Sequence, residues 1–177
     1  MDTITHGLLG GVVAQLGFRE RIGRDATWAA VAAAVVPDLD IFIAPIVNLT
    51  GAETDGFAAV SSHRGVTHSF LVIPLIALAA AGLWWWFRRK AGANGRSVPF
   101  WLLYLGVLLP MCTHPLLDAM TSYGTQLLAP LTNHRFAIDA VPIVDIIYTP
   151  ILILTLLGCY LARKHRPDGP RAGLRIG

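Results

Sequence analysis

Residues 66–90 read VTHSFLVIPLIALAAAGLWWWFRRK. From Val66 to Phe87 the stretch is almost wholly apolar, and it is long enough to cross a bilayer, which takes about 20 helical residues. It closes on Trp84, Trp85 and Trp86 and then on Arg88, Arg89 and Lys90. Aromatic rings at headgroup depth followed by a basic cluster mark the cytoplasmic end of a membrane helix. The remaining sequence has the same character. Of 177 residues, 54% are hydrophobic and 14% charged, against about 25% charged in a soluble domain. That balance excludes intrinsic disorder, and the length suits a single domain rather than a soluble multidomain enzyme.

On either side of this span lie further apolar runs. Ile4 to Phe18 is short for a crossing and predicts a short N-terminal helix. Trp28 to Leu49 is long enough but is interrupted by Pro37, Asp38, Asp40 and Pro45. Val98 to Leu131 exceeds one membrane thickness and contains Pro110 and Pro115. It is expected to divide into a spanning helix and a second element beginning near Pro115, because proline suits the first position of a helix. Ala140 to Ala162 is the last span, with Asp145 near its start. The expected fold is therefore an all-α, polytopic membrane helix bundle of three to four spanning helices plus the short N-terminal helix. Residues 1–162 make one membrane-embedded domain and residues 163–177 a basic tail.

The net charge of +3 conceals an asymmetry. Arg88, Arg89, Lys90 and Arg96 form one basic cluster, and Arg163, Lys164, Arg166, Arg171 and Arg175 another. Both flank apolar runs, which is the placement of topology signals and not of a nucleic-acid surface. Counting positive charge as inside puts these clusters, the weaker Arg19–Arg21–Arg24 loop and the C-terminus in the cytoplasm. The Thr50–Gly65 and Thr121–Asp139 segments then face outward. Cys112 and Cys159 lie inside apolar segments and indicate no disulfide framework. Asp2 stands where a cleavable signal would place a basic residue.

Ionisable residues in such a setting are costly and are functional candidates by default. They fall in four patterns: T-H-G with His6, V-P-D-L-D with Asp38 and Asp40, H-R-G-V-T-H-S with His63, Arg64 and His68, and H-P-L-L-D with His114 and Asp118, followed by T-S-Y-G-T. With about 1.5 Å of rise per residue, all four reach the outer layer of the drawn topology. Imidazole and carboxylate together suit Zn²⁺, and also Mn²⁺ or Fe²⁺. His114 and Asp118 are four apart, hence on one helical face, where they can share an ion. With a helix start at Pro115, His114 falls near the cap and Asp118 in the first turn. His63 is expected in a loop and His68 at a helix start. An aspartate beside the metal could act as base or orient a ligand histidine. The bland alternatives are helix caps for Asp38 or Asp40, an outer-loop charge for Arg64, and hydroxyl-to-carbonyl bonds for Thr67 and Ser69.

The order D-x-x-T-H-G, P-D-x-D, H-R-G-x-T-H-S, H-P-x-x-D and T-x-Y-G resembles the membrane-bound metal-dependent hydrolases, small bacterial or archaeal inner-membrane proteins that include an SOS-regulated member. The likeness runs from Asp2 to about Tyr148. That family is similar in turn to zinc-dependent phospholipase C and the fungal single-strand nucleases, all-helical enzymes with three zinc ions. The resemblance implies a site with one to three ions. One of Asp38 and Asp40, one of His63 and His68, and His114 would hold the first ion, Asp118 would bridge two, and His6 would serve the second. The third ion's later ligands have no counterpart, and nothing in the sequence supports the soluble relatives' N-terminal amine ligand at Met1. The expected activity is hydrolysis of a phosphoester or phosphodiester, on a lipid-linked phosphate if the site lies at headgroup depth. Asp40 and Asp118 would act in catalysis, with Arg64, or Arg135 in second place, on the phosphate. The rival expectations are a proton- or metal-ion-coupled transporter and a non-catalytic metal-binding module. Cysteine labelling from outside tests the orientation: substitutions at Thr54 and Asn133 should react, and those at Ala93 and Gly169 should not. Outside labelling at Ala93 would invert the topology.

Overall fold

The computed structural model describes residues 1–42, 63–90 and 98–165. The expected outer loop from Thr50 and much of the two basic clusters, Arg96, Arg166, Arg171 and Arg175 included, lie outside them. The described residues form six α-helices and no β-strand: α1 (Thr3–Gln15), α2 (Phe18–Ile22), α3 (Asp25–Val35), α4 (Ile73–Lys90), α5 (Phe100–Ala119) and α6 (Tyr148–Lys164). Two 3₁₀ turns, Val36–Phe42 and Val66–His68, carry much of the polar chemistry. The expected all-α class is met. Of the three to four expected spanning helices one is shown: among the described residues, α5 alone is long and apolar enough to cross a membrane.

The sequence runs are shortened for local reasons. Helix α1 starts at Asp2, whose carboxylate accepts from Thr5 N at 2.9 Å as an N-cap. Helix α3 ends at Val35 and tightens into the 3₁₀ turn from Val36, whose backbone is still helical, because Pro37 has no N–H to continue the α-helical bonding. Helix α4 begins at Ile73 and not at Val66, which places Pro74 in the first turn, where its missing N–H costs nothing. Helix α6 begins after Pro142, with Asp145 Oδ1 accepting from Ile147 N and Tyr148 N, both at 2.7 Å. Asp145 is thus a helix cap. Helix α5 departs furthest from expectation, running unbroken through Pro110 and Pro115 to Ala119. Both prolines are buried, and the Thr113 hydroxyl donates to the Pro110 carbonyl at 2.7 Å. Proline inside a helix is tolerated where the surrounding bundle packs against it, as both are packed here. His114 and Asp118 consequently lie in the last turns of a helix, not at the start of one.

Packing is by small residues. Helix α1 lies against α3, where Ala26, Ala30, Ala33 and Ala34 are buried. A Cβ on Gly10 would stand 2.5 Å from the Ala30 carbonyl oxygen and 2.6 Å from the Ala34 Cβ, so only glycine permits this crossing. A second cluster, built from Ala33, Ile73, Ala77, Ala81, Val107 and Met111, joins α3, α4 and α5. Large apolar side chains point outward: Leu16, Trp28 and Ile147 are 78%, 75% and 69% exposed. Inside lie His6, Arg64, His68, His114 and Asp118. Gly10→Ala should therefore destabilise the protein by about 1–3 kcal/mol. Gly82→Ala in α4 meets nothing within 4 Å and should stabilise it by up to about 1 kcal/mol. Thermal unfolding in detergent distinguishes the two.

Candidate metal centre

The 3₁₀ turn after α3 advances by about three residues per turn, so Asp38 and Asp40 leave it in different directions. Asp38 points toward the end of α5. There Asp38, His68, His114 and Asp118 bring one donor atom each within 4.8 Å of all the others, and all four are buried at those atoms. His114 Nε2 stands 3.2 Å from Asp38 Oδ1, and it stands 3.5 Å from Asp118 Oδ2. His68 Nε2 is 3.5 Å from Asp118 Oδ2 and 3.8 Å from Asp38 Oδ1. The two Nε2 atoms are 3.1 Å apart. A tetrahedral ion with ligands at about 2.0–2.1 Å needs edges of about 3.4 Å. The four side chains already approximate that figure.

The other ring nitrogens fix the tautomers. His114 Nδ1 donates to the Ala34 carbonyl at 2.6 Å. Thr67 gives its hydroxyl proton to Asp40 Oδ2 at 2.8 Å, so it accepts from His68 Nδ1 at 3.0 Å. With Nδ1 of both rings engaged in these bonds, both Nε2 atoms are turned toward each other. At that separation either a shared proton or a metal ion must lie between them. Asp118 Oδ2, buried and without a hydrogen bond among the described residues, faces the same point. The residues fit a metal ion, and the outward Nδ1–H bonds are those of metal-bound imidazoles.

A second group surrounds the other oxygen of Asp118. His6 Nε2 lies 3.1 Å from Asp118 Oδ1, and the amine of Met1 also contacts Oδ1. This corrects the expectation that set aside an N-terminal amine at Met1: the Asp2 cap turns the chain into α1 just beyond it and leaves the amine against Asp118. The His6 ring stacks on His114 with centroids 3.6 Å apart. Its Nδ1 is buried without a hydrogen-bond partner among the described residues.

Asp40 and His63 stand outside the four-residue group. His63 Nδ1 donates to Asp40 Oδ1 at 2.7 Å. Burial pushes the Asp40 carboxyl up, but the hydrogen bonds from His63 and Thr67 outweigh it and hold the group below the usual carboxylate range. Asp40 also lies 3.5 Å from His68 Nδ1. It stands behind the His68 ring, on the Nδ1 side, and not among the four converging donors where it was expected. His68 sits on the 3₁₀ turn, five residues before α4, and not at a helix start.

Arg64 is buried, with Nε 3.1 Å from Asp118 Oδ2 and Nη1 donating to Thr121 Oγ1 at 3.0 Å. Its backbone is left-handed, with φ of 62°, which is costly for a side-chain-bearing residue. Its guanidinium and that of Arg135 both approach the Tyr123 ring, at 5.2 Å and 4.6 Å. Arg135 also donates to the His63 carbonyl at 3.0 Å. The T-S-Y-G-T motif thus supplies Thr121 and Tyr123 to the site. Thr3, which the sequence did not single out, donates to Asp38 Oδ2 at 2.7 Å. The Ser69 hydroxyl bonds only backbone groups, the carbonyls of Leu127 and Ala129 and the N–H of Leu71.

An all-helical chain with an apolar exterior, small-residue helix contacts and a buried His/Asp cluster is a small membrane protein. It belongs to the YdjM inner membrane protein family, which matches residues 1–174. No curated protein and no solved structure matches it.

The two aspartates of the P-D-L-D motif should separate experimentally. In zinc titrations Asp38→Asn should abolish tight binding to the four-residue group. Asp40→Asn, acting through His68, should weaken binding by about 10–100-fold. Equal effects would merge the two roles.

Proposed function

We propose that this protein is a membrane-bound, metal-dependent hydrolase of a phosphoester or phosphodiester. The observation that carries the reading is the convergence of His68 Nε2 and His114 Nε2, 3.1 Å apart, beside two carboxylates. Asp38, His68, His114 and Asp118 would hold one ion, zinc by donor type, with manganese or iron also suited. His6, the Met1 amine and Asp118 Oδ1 would hold a second, with Asp118 as the bridge. When bound, such ions supply a nucleophilic water at neutral pH and stabilise charge developing on the ester oxygens.

The chain's own groups do the rest. Asp40 and Thr67 hold His68 in the tautomer that leaves Nε2 free, and Ala34 does the same for His114. Arg64, fixed by Thr121, directs its guanidinium at the cluster and can hold phosphoryl oxygens by paired hydrogen bonds. Arg135 stands one shell further out, against Tyr123. In the same reading the bundle crosses the membrane more than once, with its C-terminus in the cytoplasm and the site near the outer face, where a lipid-linked phosphate is the natural substrate. One observation favours a non-catalytic metal module: four protein donors can close a tetrahedral shell, as structural zinc sites do.

Metal analysis and a phosphoester screen on the purified protein decide between them. His114→Ala should release most of the metal. Asp118→Asn should lower metal stoichiometry and hydrolysis together, whereas Asp145→Asn, which keeps a helix cap, should preserve both. Arg64→Gln should keep the metal and reduce kcat/KM by about 10²–10³-fold. Metal bound without hydrolysis of any phosphoester supports the structural module; a folded, metal-free protein overturns both readings.

A further inference from the structure

Beginning beside the metal centre at Thr3 and running away from it, a long groove of about 610 Å³ is enclosed by α1, α3 and α6, a volume within the range of about 300–1,000 Å³ that holds small ligands. It follows α1 from Thr3 to beyond Gln15. Those 13 helical residues rise about 20 Å, longer than one leaflet's hydrocarbon layer of about 15 Å. Gly7 and Gly11 form its floor, four apart on one helical face. Side chains there would meet Val31, Val35 and Leu156 at 3.4–3.6 Å, so their absence is what gives the groove its depth. Trp28, 75% exposed, forms part of the rim.

The far end of the groove is cationic. Arg19 and Arg163 both line it, each half-buried. Arg19 Nη1 donates to Thr27 Oγ1 at 3.3 Å, and Arg163 Nη1 donates to Gln15 Oε1. Both partners are neutral. Among the described residues the arginine–carboxylate pairs are Arg64–Asp118 and Arg88–Asp25, and neither involves these two. Burial, and then the nearby charges of Arg163 and Arg24, lower the pKa of the Arg19 guanidinium. Two like charges are thus held together at the mouth of an apolar slot, on the side of the molecule that also carries Arg88, Arg89 and Lys90. A ligand that satisfies both halves has an anionic head, able to bridge two guanidiniums, and a hydrocarbon tail. Basic pockets between membrane helices take anionic headgroups in this way.

We infer that the groove binds one anionic phospholipid, with its phosphate between Arg19 and Arg163 and one acyl chain along the Gly7–Gly11 face of α1. The arginine end of the groove lies at the opposite end of α1 from Thr3, which meets the metal centre through Asp38, and the inference stands whether or not that centre is catalytic. The test is native mass spectrometry of the detergent-purified protein titrated with phosphatidylglycerol or phosphatidylcholine of identical chains. Phosphatidylglycerol should bind tighter. Each arginine-to-glutamine change should weaken it by about fivefold, and Arg19→Gln with Arg163→Gln by about 25-fold, with phosphatidylcholine unaffected. Gly11→Leu should weaken both lipids by obstructing the chain. Metal content and thermal unfolding, followed in parallel, should stay unchanged in the arginine variants; if the double variant fails to fold, the single Arg19→Gln carries the test. Equal affinity for the two lipids, or phosphatidylglycerol binding that survives loss of the arginine charge, overturns the inference. So does short-chain phosphatidylglycerol binding as tightly as the long-chain lipid, because the groove would then contribute nothing.

Discussion

A fully buried carboxylate, Asp118, is the constraint around which the molecule is organised. Removing a charge from water is affordable only where other charges and hydrogen bonds replace the solvent. One oxygen of Asp118 faces Arg64, His68 and His114, and the other faces His6 and the Met1 amine. These five partners come from the chain start, α1, the segment before α4, and α5. To bring them together, α1 must begin at its first residues, α3 must break at Pro37, and α5 must continue past Pro115. The local irregularities of the fold are therefore conditions for satisfying one side chain.

The same constraint accounts for the reversed distribution of polarity. A soluble protein buries its leucines and exposes its charges; here leucine, isoleucine and tryptophan lie outside while histidine, arginine and aspartate lie within. Alanine and glycine then make the helix contacts, because close backbone approach replaces large-side-chain burial where the surroundings are apolar. Gly10 serves packing, while Gly7 and Gly11 on a neighbouring face leave space unfilled. One short helix thus carries a tight contact on one side and a groove on the other.

Much of the site was legible in the sequence. His6, His68, His114, Asp38 and Asp118 were recognisable because ionisable residues in apolar surroundings are few and carry their own signal. The choice between Asp38 and Asp40, and between His63 and His68, was not legible. It depends on the 3₁₀ geometry after Pro37 and on which imidazole Thr67 can reach, neither of which has a linear pattern. Helix lengths were overread for a related reason. Hydropathy registers the apolar run, but Pro37, Pro74 and Asp145 stand where helices end and begin, while Pro110 and Pro115 fail to break α5. The difference is tertiary: the last two are buried within the bundle. The Met1 amine was set aside, although the soluble relatives use theirs, because every chain has one and no residue pattern marks it; the Asp2 cap brings this one to Asp118.

The positions of the two oxygens of Asp118 bear on what kind of metal centre this can be. Four donors around Oδ2 would be enough for a closed structural site, and such a site would give no purpose to the groups around Oδ1. Yet His6 is buried with one ring nitrogen on Oδ1 and the other unpartnered among the described residues, an expensive arrangement for a residue that serves only to pack. Arg64 adds to this. It holds a left-handed backbone and a buried guanidinium directed at an already crowded carboxylate, where a merely structural counter-charge would be relieved by an ion on the same oxygen. Its strain is intelligible if the guanidinium has a second anion to hold once metal neutralises Asp118. A phosphoryl group presented to the cluster would be that anion, and it would draw Arg64 from Asp118 without moving the helices that position either.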